Sequence, residues 1–392
     1  MFERALVEIL TSRINEKRGF IQIVMGPRQT GKSTAVNQTL KKLPFSLVQH
    51  SFDSVRTSNA QQLERKWLEA RALQEQSSVV ILFFDEIQMV DQWSSLVKKY
   101  WDEDTRDERD IRVILTGSSS LLIKKGLKES LAGRFEILHS THWEYLECLE
   151  AFDYTLEEFL YFGGYPGAAQ LKADENRWYD YIRNAIVEPT LTKDLIEMED
   201  IRKPALMRAL FELGASYSSQ ELSYRKILGQ LDDKGNAATA ASYLTHLSNA
   251  GLLSGIQKYS EKALAIKSSS PRLLTHDTSL MVVESGQDRQ SLLGDPERKG
   301  HLVETAVGAY LLARGRKEGF NLYWWRKENK EVDFIVKKGQ KRTAIEVKSG
   351  RAKGRKGLDA FLAQYPGTYC LTIGIDACKL EDFLLGKVSL FQ

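Results

Sequence analysis

The stretch that most constrains this chain is residues 26–33, which read Gly-Pro-Arg-Gln-Thr-Gly-Lys-Ser. They satisfy the pattern G-x-x-x-x-G-K-[ST] in full. The apolar run at 21–25 predicts a buried strand before it, and 34–43 predicts a helix after it. A strand, a glycine-rich turn and a helix start are the setting in which this pattern holds phosphates. Backbone N–H groups and the helix N-terminus then point at the anion. Gly26, Pro27, Arg28, Gln29, Thr30, Gly31, Lys32, Ser33 and Thr34 are the expected nucleotide contacts. Lys32 is expected to reach the outer phosphates, and Ser33 to help hold Mg²⁺.

The second half of such a site lies at 79–86, Val-Val-Ile-Leu-Phe-Phe-Asp-Glu. A continuous apolar run suits a central parallel strand, covered on both faces. The acids at its end fit the chemistry of ATP hydrolysis, with Asp85 holding Mg²⁺ and Glu86 orienting or deprotonating the attacking water. Further strands are expected at 47–52 and 111–116, and helices at 2–18, 60–75 and 94–101. The charged segment 102–110 reads as a solvated loop. The strand at 111–116 ends in Gly-Ser-Ser-Ser. Ser118 is either a sensor touching the γ-phosphate or its water, or a cap for the next helix. Arg134, after Gly133, either reaches a neighbouring subunit's nucleotide as an arginine finger or pairs on the surface with Glu136 or Glu129.

These segments together resemble the AAA+ ATPase family widespread in bacteria and archaea, in which the ATPase precedes a C-terminal domain of unknown function. The motif Phe162-Gly163-Gly164-Tyr165-Pro166-Gly167 resembles another of that family's hallmarks. The resemblance covers essentially the whole chain. It implies an α/β protein with a P-loop AAA+ core at 1–143, a helical lid at 144–202, a winged helix at 203–268 and a restriction-endonuclease-like α/β domain at 269–392.

Composition narrows the partners. The 392 residues carry a net charge of only +3, with 42% hydrophobic and 27% charged residues. This is ordinary globular composition, so any nucleic-acid surface must be local. The three cysteines form no C-x-x-C pair, which points away from a zinc site or a disulfide framework. No apolar run is long enough to cross a bilayer and 1–18 has no signal-peptide core. The expectation is a cytoplasmic protein without a membrane partner.

In the middle of the chain, 144–160 and 176–196 read as helices separated by a Gly-Gly-Tyr-Pro-Gly break. Helices at 205–215, 219–228 and 237–250, with short strands at 252–256 and 263–267, suggest a winged helix. Such modules often place the third helix in a DNA groove. Here 239–251 holds no Lys or Arg, so a structural role stands beside a DNA-binding one.

The C-terminal part offers a helix at 301–314 and strands at 322–326, 332–336 and 344–348, the last reading Ala-Ile-Glu-Val-Lys. Alternation puts Glu346 and Lys348 on one face. From the residues alone this also fits an edge strand with paired surface charges. Asp333 followed by Glu346-x-Lys348 resembles the PD-(D/E)XK nuclease fold. That resemblance implies Mg²⁺ on Asp333 and Glu346, Lys348 polarising the scissile phosphate or the water, and Glu304 as the helix acid. Arg351, Lys353, Arg355 and Lys356 follow as a basic loop suited to a DNA backbone. Two functions are therefore expected: an ATPase that couples nucleotide state to metal-dependent DNA cleavage, or an ATP switch whose C-terminal domain binds DNA or protein without cutting.

Overall fold

The strand Ile21–Met25 (β1) is buried along its whole length, and the N-terminal sheet is built around it. The computed structural model describes residues 2–52, 58–117, 130–197, 201–222, 226, 229, 237–261, 270–348, 355–374 and 378–392. The strands Ser46–Ser51 (β2), Val80–Asp85 (β3), Ile111–Gly117 (β4) and Phe135–His139 (β5) join it. Their order is β2-β3-β4-β1-β5 and every pairing is parallel.

Burial on both faces explains the unbroken apolar runs. Ile23, Met25, Leu82 and Phe84 face a core with Leu63, Trp67 and Trp93. The alternate residues Val24, Ile81 and Phe83 face Leu6, Leu10, Ala35 and Val36. The helices Asn59–Gln74 and Trp93–Arg106 thus cover one face, and Ala5–Asn15 and Lys32–Lys42 the other.

The expected loop at 102–110 is corrected at its start, because the helix runs on to Arg106. Asp104 is fully buried there. It accepts from Trp67 Nε1 and from Arg71 Nε, each at 2.7 Å. A charge run that looked solvated supplies an internal ion pair.

The chain divides into two compact units, Met1–Thr141 and His142–Gln392. The second holds a six-stranded sheet in the order β11-β10-β9-β8-β6-β7. Its strands are Leu253–Lys258 (β6), Arg272–Thr275 (β7), Asn321–Lys327 (β8), Lys330–Lys338 (β9), Lys341–Lys348 (β10) and Tyr369–Gly374 (β11). β8, β9 and β10 form an antiparallel meander, β11 joins β10 in parallel, and β6 runs parallel to β8.

Phe334, Val336, Ile345 and Val347 pack on one face with Leu302, Val307 and Leu311 of the helix Pro296–Glu318. Val332, Ile335 and Ala344 pack on the other with Leu358 and Phe361 of the helix Lys356–Gln364.

The helix expected at 144–160 is two helices, Tyr145–Phe152 and Leu156–Phe162. Asp153 breaks it at φ 52°, and Thr155 with Glu158 forms a capping box for the second helix. The helix expected at 176–196 starts as Glu175–Tyr181 and continues in the wider π form. The helices Pro204–Ser216 and Ala237–Asn249 are present. The strand after them, β6, lies inside the sheet between β7 and β8. Its expected partner at 263–267 is outside the described residues.

Candidate functional site

The glycine-rich loop leaves β1 at a point where no side chain fits. A Cβ on Gly26 would stand 1.9 Å from the carbonyl oxygen of Ser140. Gln29 and Gly31 take φ of 58° and 85°, and Gly31 caps the helix Lys32–Lys42. Pro27 and Thr30 are buried, Arg28 is half-buried, and Gln29 and Thr34 are exposed. Thr30 Oγ1 donates to Pro27 O at 3.0 Å. Arg4, buried at the start of the first helix, donates to Thr30 O at 3.1 Å and to Ser140 Oγ at 3.2 Å. Neither Arg4 nor Ser140 belongs to the motif, and together they brace the loop. Lys32 Nζ folds onto the loop, donating to Gly26 O at 3.0 Å and Pro27 O at 2.8 Å.

The acids arrive from β3. Ser33 Oγ donates to Asp85 Oδ1 at 3.0 Å, and Thr116 Oγ1 donates to the same oxygen. Glu86 N donates to Thr116 Oγ1 at 3.3 Å. Glu86 is left-handed at φ 51°, which turns the chain directly after Asp85, and its carboxylate accepts from Gln88 Nε2. Thr116 is thus a polar strand-end residue that meets the acids; Ser118, singled out from sequence, lies outside the described residues. β4 lies between β1 and β3, with Thr116 opposite Val24 and Leu115 opposite Phe84, which carries Thr116 to Asp85.

Arg134 makes a bidentate ion pair with Asp102, Nε to Oδ1 at 2.6 Å and Nη2 to Oδ2 at 3.0 Å. The bond holds the Asp102 carboxyl below its usual range. The surface partner is Asp102, whereas Glu136 pairs with Arg13 at 3.4 Å and Glu129 is outside the described residues.

The second cluster sits on β9 and β10. Ile345 stands opposite Phe334, so Asp333 and Glu346 flank that pair. Asp333 Oδ2 accepts from Val347 N at 2.8 Å. Burial first, and then the negative charge of Glu304, push the Asp333 carboxyl up to about 7. Asp333 and Glu346 each have a cation beside them, and Glu304 has a histidine. Arg272, nearly inaccessible on β7, approaches Asp333 Oδ1 at 3.6 Å and also pairs with Glu331. Lys348 pairs with Glu346, and His301 Nδ1 lies 3.8 Å from Glu304 Oε2.

Sequence reasoning missed Arg272 and His301. Among the described residues no three His, Cys, Asp or Glu side chains are gathered to hold a metal ion. One oxygen is left over: Glu346 Oε2 is buried with no hydrogen-bond partner. In the basic loop, Arg351 and Lys353 are outside the described residues, whereas Arg355 and Lys356 are exposed at the start of the following helix.

A parallel sheet whose first strand runs through this loop into a helix, with Ser33, Asp85 and Thr116 converging at the strand ends, defines a P-loop nucleotide-binding core. Residues 18–149 match the family described as AAA domain. Residues 153–291 and 299–385 match two domains of unknown function, DUF8612 and DUF4143. The chain thus joins an AAA-type P-loop NTPase domain to a DUF4143 domain. An uncharacterized protein of Methanocaldococcus jannaschii is 28% identical over 348 residues, covering 83% of this chain and 74% of that protein. Among the described residues no helix is long and apolar enough to cross a membrane.

Proposed function

We propose that the chain is an ATPase whose nucleotide site is built from Gly26, Lys32, Ser33, Asp85, Glu86 and Thr116. The observation that carries this is the convergence of the Ser33 and Thr116 hydroxyls on one oxygen of Asp85. The Ser33 hydroxyl and Asp85 carboxylate are hard oxygen donors 3.0 Å apart, a pair of the kind that would hold Mg²⁺. Bound there, Mg²⁺ supplies neutralisation of charge on the phosphate oxygens. The chain does the rest. Lys32 leaves the loop carbonyls for the outer phosphates, the helix N-terminus and loop N–H groups hold the inner ones, and Glu86 takes a proton from the attacking water. The Glu86→Gln variant should retain ATP and lose turnover, whereas Lys32→Ala should lose ATP binding. Normal turnover in Glu86→Gln would overturn the assignment of Glu86. Under this proposal Arg134 leaves Asp102 to serve a neighbour's nucleotide in an oligomer, and Arg134→Ala then loses turnover but keeps ATP.

For the second unit, the pairing of Asp333 with Arg272 and of Glu346 with Lys348 favours a binding module that responds to nucleotide state in a cytoplasmic switch, with DNA or a protein as its partner. The helices Pro204–Ser216 and Ala237–Asn249 would serve it as a winged-helix-like element, and 144–202 as a lid. A metal-dependent nuclease of the PD-(D/E)XK type rests on one observation, the partnerless Glu346 Oε2. In that reading Asp333 and Glu346 bind Mg²⁺, with Glu304 beside them, and Lys348 faces the phosphate. DNA cleavage in Mg²⁺ or Mn²⁺ that disappears in Asp333→Ala would establish the nuclease. DNA binding that survives Asp333→Ala, without cleavage, would establish the switch.

A further inference from the structure

Between β6 and β8 the second sheet opens. The two strands pair only at Gln257 with Tyr323 and Lys258 with Trp324. Before that point β6 is held by β7 on its other edge, from Leu253 to Ile256, and β8 is held by β9 from Asn321 on. The splayed ends flank a groove of about 470 Å³, within the range of small-molecule sites. Ile256, Leu312, Phe320 and Leu322 give it an apolar wall. Arg316 is the one charged side chain among the described residues that line it.

The polar side of the groove consists of donors. Arg316 Nη2 donates to Ser248 O at 3.1 Å and to His276 Nδ1 at 3.4 Å. No carboxylate pairs with Arg316 among the described residues, which leaves Nε and Nη1 of the fork without a protein acceptor. Accepting at Nδ1 puts the proton of a neutral His276 on Nε2, which donates to Ser254 Oγ at 2.6 Å. Burial first, then Arg316, pushes His276 well below its usual range, which keeps it neutral. Ser254 and Ser248 lie 2.7 Å apart through their hydroxyls. Of their two protons one joins the pair, and one remains for a ligand. A guanidinium fork with a hydroxyl beside it matches a carboxylate or a phosphate.

We propose that this groove binds a small organic anion, with Arg316 and the Ser248–Ser254 pair taking the carboxylate or phosphate and Leu312, Phe320 and Leu322 taking an apolar body. The groove belongs to the second unit and the nucleotide loop to the first.

Calorimetric titration of the full chain with octanoate and with phenyl phosphate tests it. One equivalent of at least one of them should bind saturably, and the ligand that binds shows which oxyanion the site prefers. Arg316→Gln should weaken that binding by about ten- to a hundredfold, the effect of losing hydrogen bonds to a charged group. Leu312→Trp, which narrows the groove and leaves Arg316 in place, should weaken it too. Lys32→Ala should bind as the wild type does. The proposal falls if neither compound binds saturably, if Arg316→Gln binds normally, or if Lys32→Ala abolishes binding. Inorganic phosphate binding as tightly as phenyl phosphate would also overturn it, because the apolar wall would then contribute nothing.

Discussion

Replacing Gly163 with alanine should unfold the second unit far more readily than the same change at Gly319, although the two glycines share nearly the same φ. Gly163 has φ 70° and ψ −166°, a region that essentially only glycine occupies. Gly319 has φ 74° and ψ 39°, the ordinary left-handed cap of a helix. Alanine at Gly319 meets nothing within 4 Å, so its cost is the left-handed backbone alone, about 1–2 kcal/mol. At Gly163 the added Cβ would stand 1.9 Å from Asp277 Oδ1 and 2.9 Å from Ser279 Cβ. Asp277 cannot simply yield. It is buried and accepts from Gly164 N at 2.7 Å and Ser279 N at 3.0 Å.

Moving that carboxylate breaks at least one such bond, about 1–3 kcal/mol, on top of a backbone cost of about 1–3 kcal/mol. The expected loss at Gly163 is therefore about 2–6 kcal/mol, against about 1–2 kcal/mol at Gly319. Urea unfolding followed by tryptophan fluorescence reads it, because Trp178 packs against Phe162 with ring centroids 5.3 Å apart. A cycle with Asp277→Ala isolates the clash, and the double variant should lose less than the sum of the two single losses. If Gly163→Ala and Gly319→Ala fall within about 1 kcal/mol of each other, the steric reasoning fails. This reading gives the Phe-Gly-Gly-Tyr-Pro-Gly motif a structural role: Gly163 and Gly164 make room for a buried carboxylate, and Gly167 for Tyr181.

Asp104→Ala should destabilise the first unit by about 1–3 kcal/mol, since it leaves the buried Trp67 Nε1 donor without its acceptor while Arg71 keeps Glu103; chemical denaturation checks this against the milder Asp104→Asn. Thr116→Val should lower ATP turnover by about tenfold or more through loss of one bond to a charged group, while ATP affinity stays near wild type in equilibrium binding. Glu284 is pushed from its ordinary 4.5 up to about 7 by burial, then by Glu212 and Glu188, with Arg183 opposing. Between those values the folded chain holds a proton that the unfolded chain has released, so Glu284 costs stability as pH rises. Glu284→Gln should therefore stabilise the second unit at pH 8 and give little at pH 4, measured by urea unfolding at each pH.

The sequence made most of the first sheet legible because its strands are buried on both faces and so read as apolar runs. The strand expected at 79–84 is Val80–Asp85, and the one at 111–116 is Ile111–Gly117. Legibility stopped where a residue's role depends on a partner distant in the chain. Asp104 reads as one charge among many until Trp67 and Arg71 are found beside it. Thr116 reads as the end of a strand until β3 is known to be its neighbour. The same limit governs the second sheet. The pattern Asp333, Glu346, Lys348 names the acids and one cation, but Arg272 belongs to no motif and reaches Asp333 only because β7, across the sheet, carries it there. That cation bears directly on chemistry. A carboxylate beside a fixed guanidinium needs a metal ion less than a bare one does, so the four residues that fit a nuclease pattern do not by themselves make a metal site. Glu346 Oε2 is the one carboxylate oxygen in the cluster buried without a hydrogen-bond partner, so it is the atom at which a metal ion would have to find its place.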